Sequence, residues 1–424
     1  MCQNSQLTKL LTVQTRCILG PRFVAQQKGM VIDMEKKKVG LCMAYTGTNY
    51  GQLLQAFATQ YMIEKLGFET EILEYRKTVT DRIPSSIGEI AGLVKIMIRV
   101  VREKSADVEE SDSIHRKNKE ERQNAADWFR KNYLHGFVSC KGYNALTQHS
   151  KELFAVVVGS DQLWLPEVSF NEFYTLRFAA PGVRRVSYAT SLGVTNYPEY
   201  CKKAARDYWR KIDYLSVREE QGKKLINDIC EVPVKVVVDP TYLISRNEWL
   251  EIIPQKDIVK KGYVLCYFLG DNIEAKEKAV EYATNKGLRT VSILSDECDA
   301  NDDIMSEIVT GKTATDFINL IRNADCIFTD SFHGLAFSVI NEKQFFVSYR
   351  IRKGEKQSRN SRIDNILRMW GLENRLMEGK DYCCLNEDEI DYLEVRKILD
   401  EYRKDSMLFL ERALGKNEKR EDRS

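Results

Sequence analysis

The chain has 424 residues, 43% hydrophobic and 30% charged, with a formal net charge of +2. That length exceeds one comfortable core, so two domains are expected, and the near-neutral balance gives no support for a general nucleic-acid binder. Eleven scattered cysteines without a Cys-x-x-Cys, and only four histidines, offer neither a disulfide framework nor a metal cluster; no metal is expected, and the odd cysteine count fits reduced thiols in the cytosol.

Met1 to Asp33 carries Lys9, Arg16, Arg22 and Lys28 and no acid before Asp33, superficially like a transit peptide. Arg16 splits its apolar region and no clean small-residue cleavage site follows, so residues 1–33 read as an extension or disordered, with the fold starting near Met34. A first domain is expected over residues 34–253. Val39–Tyr45 predicts a strand, Thr46–Gly51 a glycine loop, and Gln52–Leu66 a helix with Leu54, Ala58, Tyr61, Met62 and Leu66 on one stripe. Gly67 stops that helix and Thr70–Tyr75 is the next strand, a βαβ unit that implies a parallel sheet. The loop matches neither a Walker motif nor Gly-x-Gly-x-x-Gly. Gly47 and Gly51 either bring backbone close to a ligand, with Asn49 as a hydrogen-bonding probe, or simply make a tight turn.

Thr78–Ser150 is the least regular region, and its charged run Glu109–Gln123 reads as a helix or a mobile segment continuing towards Trp128 and Phe129. No stretch approaches the ~20 apolar residues that cross a bilayer. Ile90–Val101, with Lys95 and Arg99 four apart, reads as an amphipathic helix that is either a packed crossover or a peripheral contact with a membrane holding a lipid-linked substrate.

Phe154–Val158, Val186–Thr190, Tyr214–Val217 and Val234–Val238 are buried-type strands that close in Gly159-Ser160-Asp161, Ser191-Leu192-Gly193, Arg218-Glu219 and Asp239-Pro240. In a parallel sheet these ends share one edge, so Asp161, Ser191, Arg218 and Asp239 are placed to border one crevice. Each also has a plain role as cap or ion-pair partner. Arg218 is the strongest candidate, because a guanidinium fork leaving a buried strand suits a carboxylate or phosphate.

Pro254–Gly262 reads as a linker, and residues 263–424 as a second domain ending in C-terminal helices: strands at Tyr263–Leu269, Arg289–Leu294, Cys326–Thr329 and Phe345–Tyr349, with helices near Glu274–Lys286 and Ala314–Asn323. Between Thr329 and the apolar run Leu335–Ile340 lies Asp330-Ser331-Phe332-His333-Gly334. With Asp330 or Ser331 as cap, the first-turn N–H groups face the strand's carboxyl edge, and His333 sits beside a potential anion. A basic run from Arg350 to Arg362 follows before a helix at Ile363–Trp370. The fold expected is α/β, two Rossmann-like domains facing across a cleft.

The stretches Asn49-Tyr-Gly-Gln-Leu-Leu-Gln-Ala56, Val158-Gly-Ser-Asp-Gln-Leu-Trp164, Tyr188-Ala-Thr-Ser-Leu-Gly193, Ser216-Val-Arg-Glu219, Val238-Asp-Pro-Thr241, Thr329-Asp-Ser-Phe-His-Gly334 and Ser361-Arg-Ile363 together resemble the polysaccharide pyruvyl transferase family, in order, from Val39 to Trp370. The resemblance implies a glycosyltransferase-B-like architecture, phosphoenolpyruvate as donor, no further cofactor, and a sugar hydroxyl pair on a nucleotide-linked or lipid-linked glycan as acceptor. It also implies a cytoplasmic enzyme of surface-glycan biosynthesis, working at the inner face of the membrane if the acceptor is lipid-linked. Arg218 and His333 carry over as donor-site, catalytic residues, and Asn49, Gly51, Gly159, Ser160, Asp161, Ser191, Ser331, Gly334 and Arg362 as substrate-binding positions. Leu165 stands where the family often has Asn, and Ser331 where some members have Arg, which places more of the carboxylate binding on Arg218 and backbone amides. The alternatives are a nucleotide-sugar-dependent glycosyltransferase on the same plan and a non-catalytic glycan or anion binder.

Overall fold

The computed structural model describes residues 36–78, 113–270, 272–294, 304–350 and 360–415. The expected extension 1–33, the amphipathic stretch 90–101 and most of the basic run after Arg350 lie outside the described residues.

Seven strands form the first sheet: β1 (Lys38–Cys42), β2 (Glu69–Arg76), β3 (Phe137–Lys141), β4 (Ala155–Val158), β5 (Arg184–Thr190), β6 (Tyr214–Val217) and β7 (Lys235–Val236). Their order is β3-β2-β1-β4-β5-β6-β7 and every pairing is parallel. The second sheet holds β8 (Tyr263–Tyr267), β9 (Arg289–Ile293), β10 (Glu307–Val309), β11 (Cys326–Thr329) and β12 (Gln344–Val347), in the order β10-β9-β8-β11-β12, again all parallel. Both reproduce the doubly wound order in which the chain runs outward from a central strand, returns to its other side and leaves a switch point at the carboxyl edge: β1/β4 in one sheet and β8/β11 in the other. The expected architecture of two Rossmann-like, glycosyltransferase-B-like sheets is what the chain adopts.

Central strands β4, β8 and β11 are buried at every residue, because helices cover both faces. The expected strands match closely there. Edge strands β3 and β10 were not expected, and β7 is shorter than its apolar run, since an edge strand has exposed positions and leaves no continuous hydrophobic signal.

The helices are α1 (Tyr50–Lys65), α2 (Ser113–Tyr133), α3 (Tyr143–Ser150), α4 (Glu199–Trp209), α5 (Glu220–Ile229), α6 (Pro240–Leu243), α7 (Arg246–Ile252), α8 (Ile273–Asn285), α9 (Ala314–Asn323), α10 (Phe332–Ile340), α11 (Ser361–Trp370) and α12 (Tyr392–Ala413). The helix expected to start at Gln52 begins two residues earlier, because the Asn49 side chain accepts from the Gly51 and Gln52 amides and so caps it. From Ser113 on, the charged run before Trp128 is part of the continuous helix α2, while residues 109–112 lie outside the described residues.

The two sheets are joined by an apolar and polar seam. Tyr50 of α1 stacks on Phe317 of α9 at 4.9 Å and tilts against Tyr267 at 5.9 Å. Arg122 of α2 donates to the Leu294 carbonyl at 2.8 Å, and Trp249 of α7 meets Phe337 of α10 edge-on at 5.3 Å. The chain then crosses back: in α12, Ser406 Oγ accepts from the Val238 amide at 3.0 Å and Arg403 donates to the Tyr242 carbonyl at 2.8 Å. At its end, the Ala413 carbonyl accepts from Arg184 of β5 at 3.0 Å. Among the described residues, no helix is long and apolar enough to cross a membrane.

Candidate functional site

Four strand ends build the site. At the end of β4, Asp161 adopts φ +80, a conformation uncommon outside glycine, and its carbonyl accepts from the Leu163 and Ser191 amides at 2.8 and 2.9 Å. That turn ties the end of β4 to β5 and leaves Ser160 fully buried, its hydroxyl in contact with Asp239 Oδ2 at 2.7 Å. Beyond β6 stands Arg218, whose Nη1 donates to the same oxygen at 2.9 Å. Beyond β11 stands His333, with Nε2 3.7 Å from it, an ion-pair distance too long for a hydrogen bond. Asp239 therefore gathers three strand ends from two sheets, while its other oxygen accepts from the Thr241 amide and hydroxyl and caps α6.

Arg218, Asp239 and His333 are 3%, 1% and 7% exposed, so the cluster is almost dry. Burial alone would push the Asp239 carboxyl up. His333, Arg218 and the Ser160 hydroxyl outweigh it and hold Asp239 well below the usual carboxylate range. The Arg218 guanidinium lies over the Phe332 ring at 4.0 Å, a cation–π contact that fixes its plane. Its Nε and Nη2, together with His333 Nε2, are buried without a hydrogen-bond partner among the described residues. A buried orphan donor costs about 1–3 kcal/mol, so orphans gathered in one cluster mark a place built to be completed by something else.

His333 is set by its surroundings. Ser331 caps α10 by accepting from the Gly334 amide at 3.2 Å, and its own amide donates to Thr329 Oγ1 at 3.0 Å. Gly334 is required by closeness: a Cβ there would lie 3.2 Å from the Thr329 Cβ and nearer still to its Oγ1. On the opposite side the imidazole nests against the first turn of α1. A Cβ on Gly51 would fall 2.8 Å from His333 Cε1 and closer to Nδ1, so glycine is what lets the two sheets meet at this point. Of the two expected capping residues, Asp330 does something else: it accepts from the Leu269 and Gly270 amides at 2.7 and 2.8 Å and pins the loop after β8. Its burial outweighs these bonds and pushes its carboxyl up to about 7.

The structure thus brings Asn49, Gly51, Ser160, Arg218, Ser331, His333 and Gly334 to one locus. Gly159 lies behind it, against Met43. Ser191 donates to Glu219 at 2.8 Å. Arg362 is in the first turn of α11, whose Ile366 and Met369 line a small cavity with Arg218, Asp239, Tyr242 and Phe332. A roomier cavity of about 390 Å³ lies further along the second sheet's carboxyl edge, lined by Asn272, Glu274, Lys278, Ser348, Tyr349 and Glu378 among others. Asp239, read from sequence as a cap or crevice border, is the centre of the cluster; its signal was Val238-Asp239-Pro240, a carboxylate at a strand end that both caps and pairs. Phe332, which carries the Arg218 guanidinium on its ring, was not singled out from the sequence. Among the described residues, no group of three or more His, Cys, Asp or Glu is arranged to hold a metal ion.

The family model for polysaccharide pyruvyl transferase matches residues 49–350. No curated protein matches the chain. Among solved structures it is similar to the UDP-GlcNAc 2-epimerase from Neisseria meningitidis bound to UDP-GlcNAc, with 12% identity over 90% of this chain and 100% of that chain and a TM-score of 0.47. It is also similar to the UDP-GlcNAc 2-epimerase from Methanocaldococcus jannaschii (12%, 86% and 92%, TM-score 0.46) and the glycosyltransferase SnogD from Streptomyces nogalater (11%, 88% and 95%, TM-score 0.39). Likeness at this level adds nothing to the strand order itself. The family match, by contrast, runs from the Asn49 cap past His333 and takes in every strand end of the cluster: the chain belongs to the polysaccharide pyruvyl transferase family.

Proposed function

We propose that the protein transfers the pyruvyl group of phosphoenolpyruvate to a pair of sugar hydroxyls as a ketal, on a nucleotide-linked or lipid-linked glycan, at the cytoplasmic side of the membrane. The observation that carries this reading is the dry pairing of Arg218, with two unpartnered donors, and His333, with an unpartnered Nε2, across the seam between the sheets. The donor is an enol ester of phosphate. Protonation of its methylene carbon makes C2 electrophilic, one sugar hydroxyl adds there, and the second displaces phosphate to close the ketal. Arg218 holds the carboxylate through its open Nη2, with Phe332 fixing the plane of the guanidinium. His333 gives the proton to the methylene carbon, a role open to an imidazole whose Nε2 is free to face the donor. The first-turn amides of α10 favour the phosphate. The reaction needs no cofactor besides the donor, and the larger cavity supplies polar room for the rest of the glycan.

The test is phosphate release from phosphoenolpyruvate against a panel of nucleotide-linked and lipid-linked glycans, with mass spectrometry of the products. A pyruvylated glycan is expected, and Arg218→Ala and His333→Ala are expected to abolish it while circular dichroism shows an intact fold. Sugar transfer from a nucleotide donor without use of phosphoenolpyruvate would replace this reading with a glycosyltransferase. Glycan binding with no phosphate released would replace it with a binder, and wild-type rates in either variant would remove that residue's role.

A further inference from the structure

Ketal formation needs two proton-transfer groups, one acidic and one basic, and His333 accounts for the first. Two buried carboxylates lie beside Arg218. Asp239 is saturated: each oxygen accepts two hydrogen bonds, from Thr241 on one side and from Ser160 and Arg218 on the other. Its depressed affinity for protons also makes it a poor base.

Glu219 differs. It directly follows Arg218 at the end of β6, is 3% exposed, and precedes α5 without capping it. Instead its Oε1 reaches back to the end of β5, accepting from Ser191 Oγ at 2.8 Å and the Leu192 amide at 3.1 Å. Those two bonds fix the carboxylate plane and leave Oε2 buried without a hydrogen-bond partner among the described residues. Arg218 Nε, itself unpartnered, lies 3.8 Å from Oε2, too far for a hydrogen bond. An open donor and an open acceptor side by side, both desolvated, complement a group that accepts and donates at once, which a carboxylate or phosphate oxygen cannot do and a hydroxyl can.

Resting on the pyruvyl-transfer reading above, we infer that Glu219 is the catalytic base that receives the acceptor hydroxyl. Its Oε2 takes the hydroxyl proton as the sugar oxygen bonds to C2 and protonated His333 delivers its proton to the methylene carbon. That step leaves neutral His333, protonated Glu219 and a C2 carrying both sugar oxygen and phosphate. In the closing step the second hydroxyl bonds to C2 and returns its proton to His333. The C2–O bond to phosphate breaks, and the departing phosphate takes the proton from Glu219. Both groups end as they began, with no oxidant or reductant involved.

The experiment compares wild type, Glu219→Gln and Glu219→Ala in phosphate release with the glycan panel, with phosphoenolpyruvate binding measured by calorimetry and folding by circular dichroism. The expected result is donor affinity within about threefold of wild type and a turnover loss of about 100-fold or more, the range of a missing acid–base group. Added formate, a small carboxylate, restores part of the Glu219→Ala rate, which a merely structural role would not allow. Wild-type turnover in Glu219→Gln overturns the inference. So does loss of donor binding comparable to that of Arg218→Ala, which would make Glu219 a support for the guanidinium, and so does absence of formate rescue in a folded Glu219→Ala. If the wild type releases no phosphate with any glycan, the pyruvyl-transfer reading has failed and the base assignment falls with it; turnover by wild type and Glu219→Gln alike sinks the base alone.

Discussion

Replacing Asp239 by asparagine tests the cluster as a unit. The Asp239 carboxylate holds four hydrogen bonds on two oxygens and is 1% exposed. Asparagine keeps one oxygen, which best serves the Thr241 amide and hydroxyl at the start of α6. Its NH2 then faces Ser160 Oγ and Arg218 Nη1. The serine hydroxyl can rotate and accept, but a guanidinium has no acceptor, so Arg218 loses its 2.9 Å partner and stays buried with Glu219, at 3.8 Å, as the remaining one of its two ion-pair partners. Breaking a buried pair from one side costs about 3–5 kcal/mol, and we expect Asp239→Asn to cost this much in urea denaturation at pH 7. Removing both charges relieves the conflict. The double variant Arg218→Met with Asp239→Asn should therefore cost less than the sum of the singles by about 1–3 kcal/mol, the coupling typical of contacting groups. Because the folded-state pKa of Asp239 is depressed, its contribution is present above the unfolded value near ~3.9 and is lost as pH falls below it. Stability of Asp239→Asn should accordingly fall less steeply on the acid side. A cost under about 1 kcal/mol, or strict additivity of the two singles, would refute the picture of a charge cluster closed on Asp239.

Gly51→Ala puts a methyl group into the His333 ring, so phosphate release should fall about 100-fold or more, as expected when a proton-transfer group is misplaced, with secondary structure unchanged by circular dichroism; an active alanine variant would show that the ring need not sit there. Asp330 has the opposite sign to Asp239: with its folded pKa raised to about 7, its contribution is full below the unfolded value near ~3.9 and is lost as pH rises towards 7. Going from ~3.9 to about 7 corresponds to roughly 4 kcal/mol at 1.36 kcal/mol per pH unit, so the wild type's urea midpoint should decline between pH 4.5 and 7.5 and Asp330→Asn should remove most of that decline; parallel pH dependences would refute it.

The central strands were legible because burial on both faces writes an unbroken apolar run, as in Ala155–Val158 and Cys326–Thr329. The edge strand Phe137–Lys141 was not, because its exposed and buried positions mix without a clear period. At the site, the residue types at strand ends pointed to Arg218 and His333, since a guanidinium fork and a histidine at a strand-to-helix turn are chemically conspicuous. Asp239 and Glu219 were harder to single out, because their meaning depends on which oxygen is left open after the local hydrogen bonds are made, and no spacing encodes that. Gly51 illustrates the same limit: its loop left a tight turn and a close approach to a ligand both open, whereas the reason for glycine is an imidazole 282 positions further on.

The return of α12 to the first sheet bears on how the protein is made. Arg184 and its partner carbonyl on Ala413 are 229 positions apart, and Val238 and Ser406 are 168 apart. Translation therefore delivers the opening half long before the segment that covers Tyr188 and the Val238–Tyr242 turn, and such distant contacts are slow to form. A nascent chain interrupted before Tyr392 would hold a sheet with this surface bare, a state prone to self-association, so the first sheet's packing is complete only once α12 has been made.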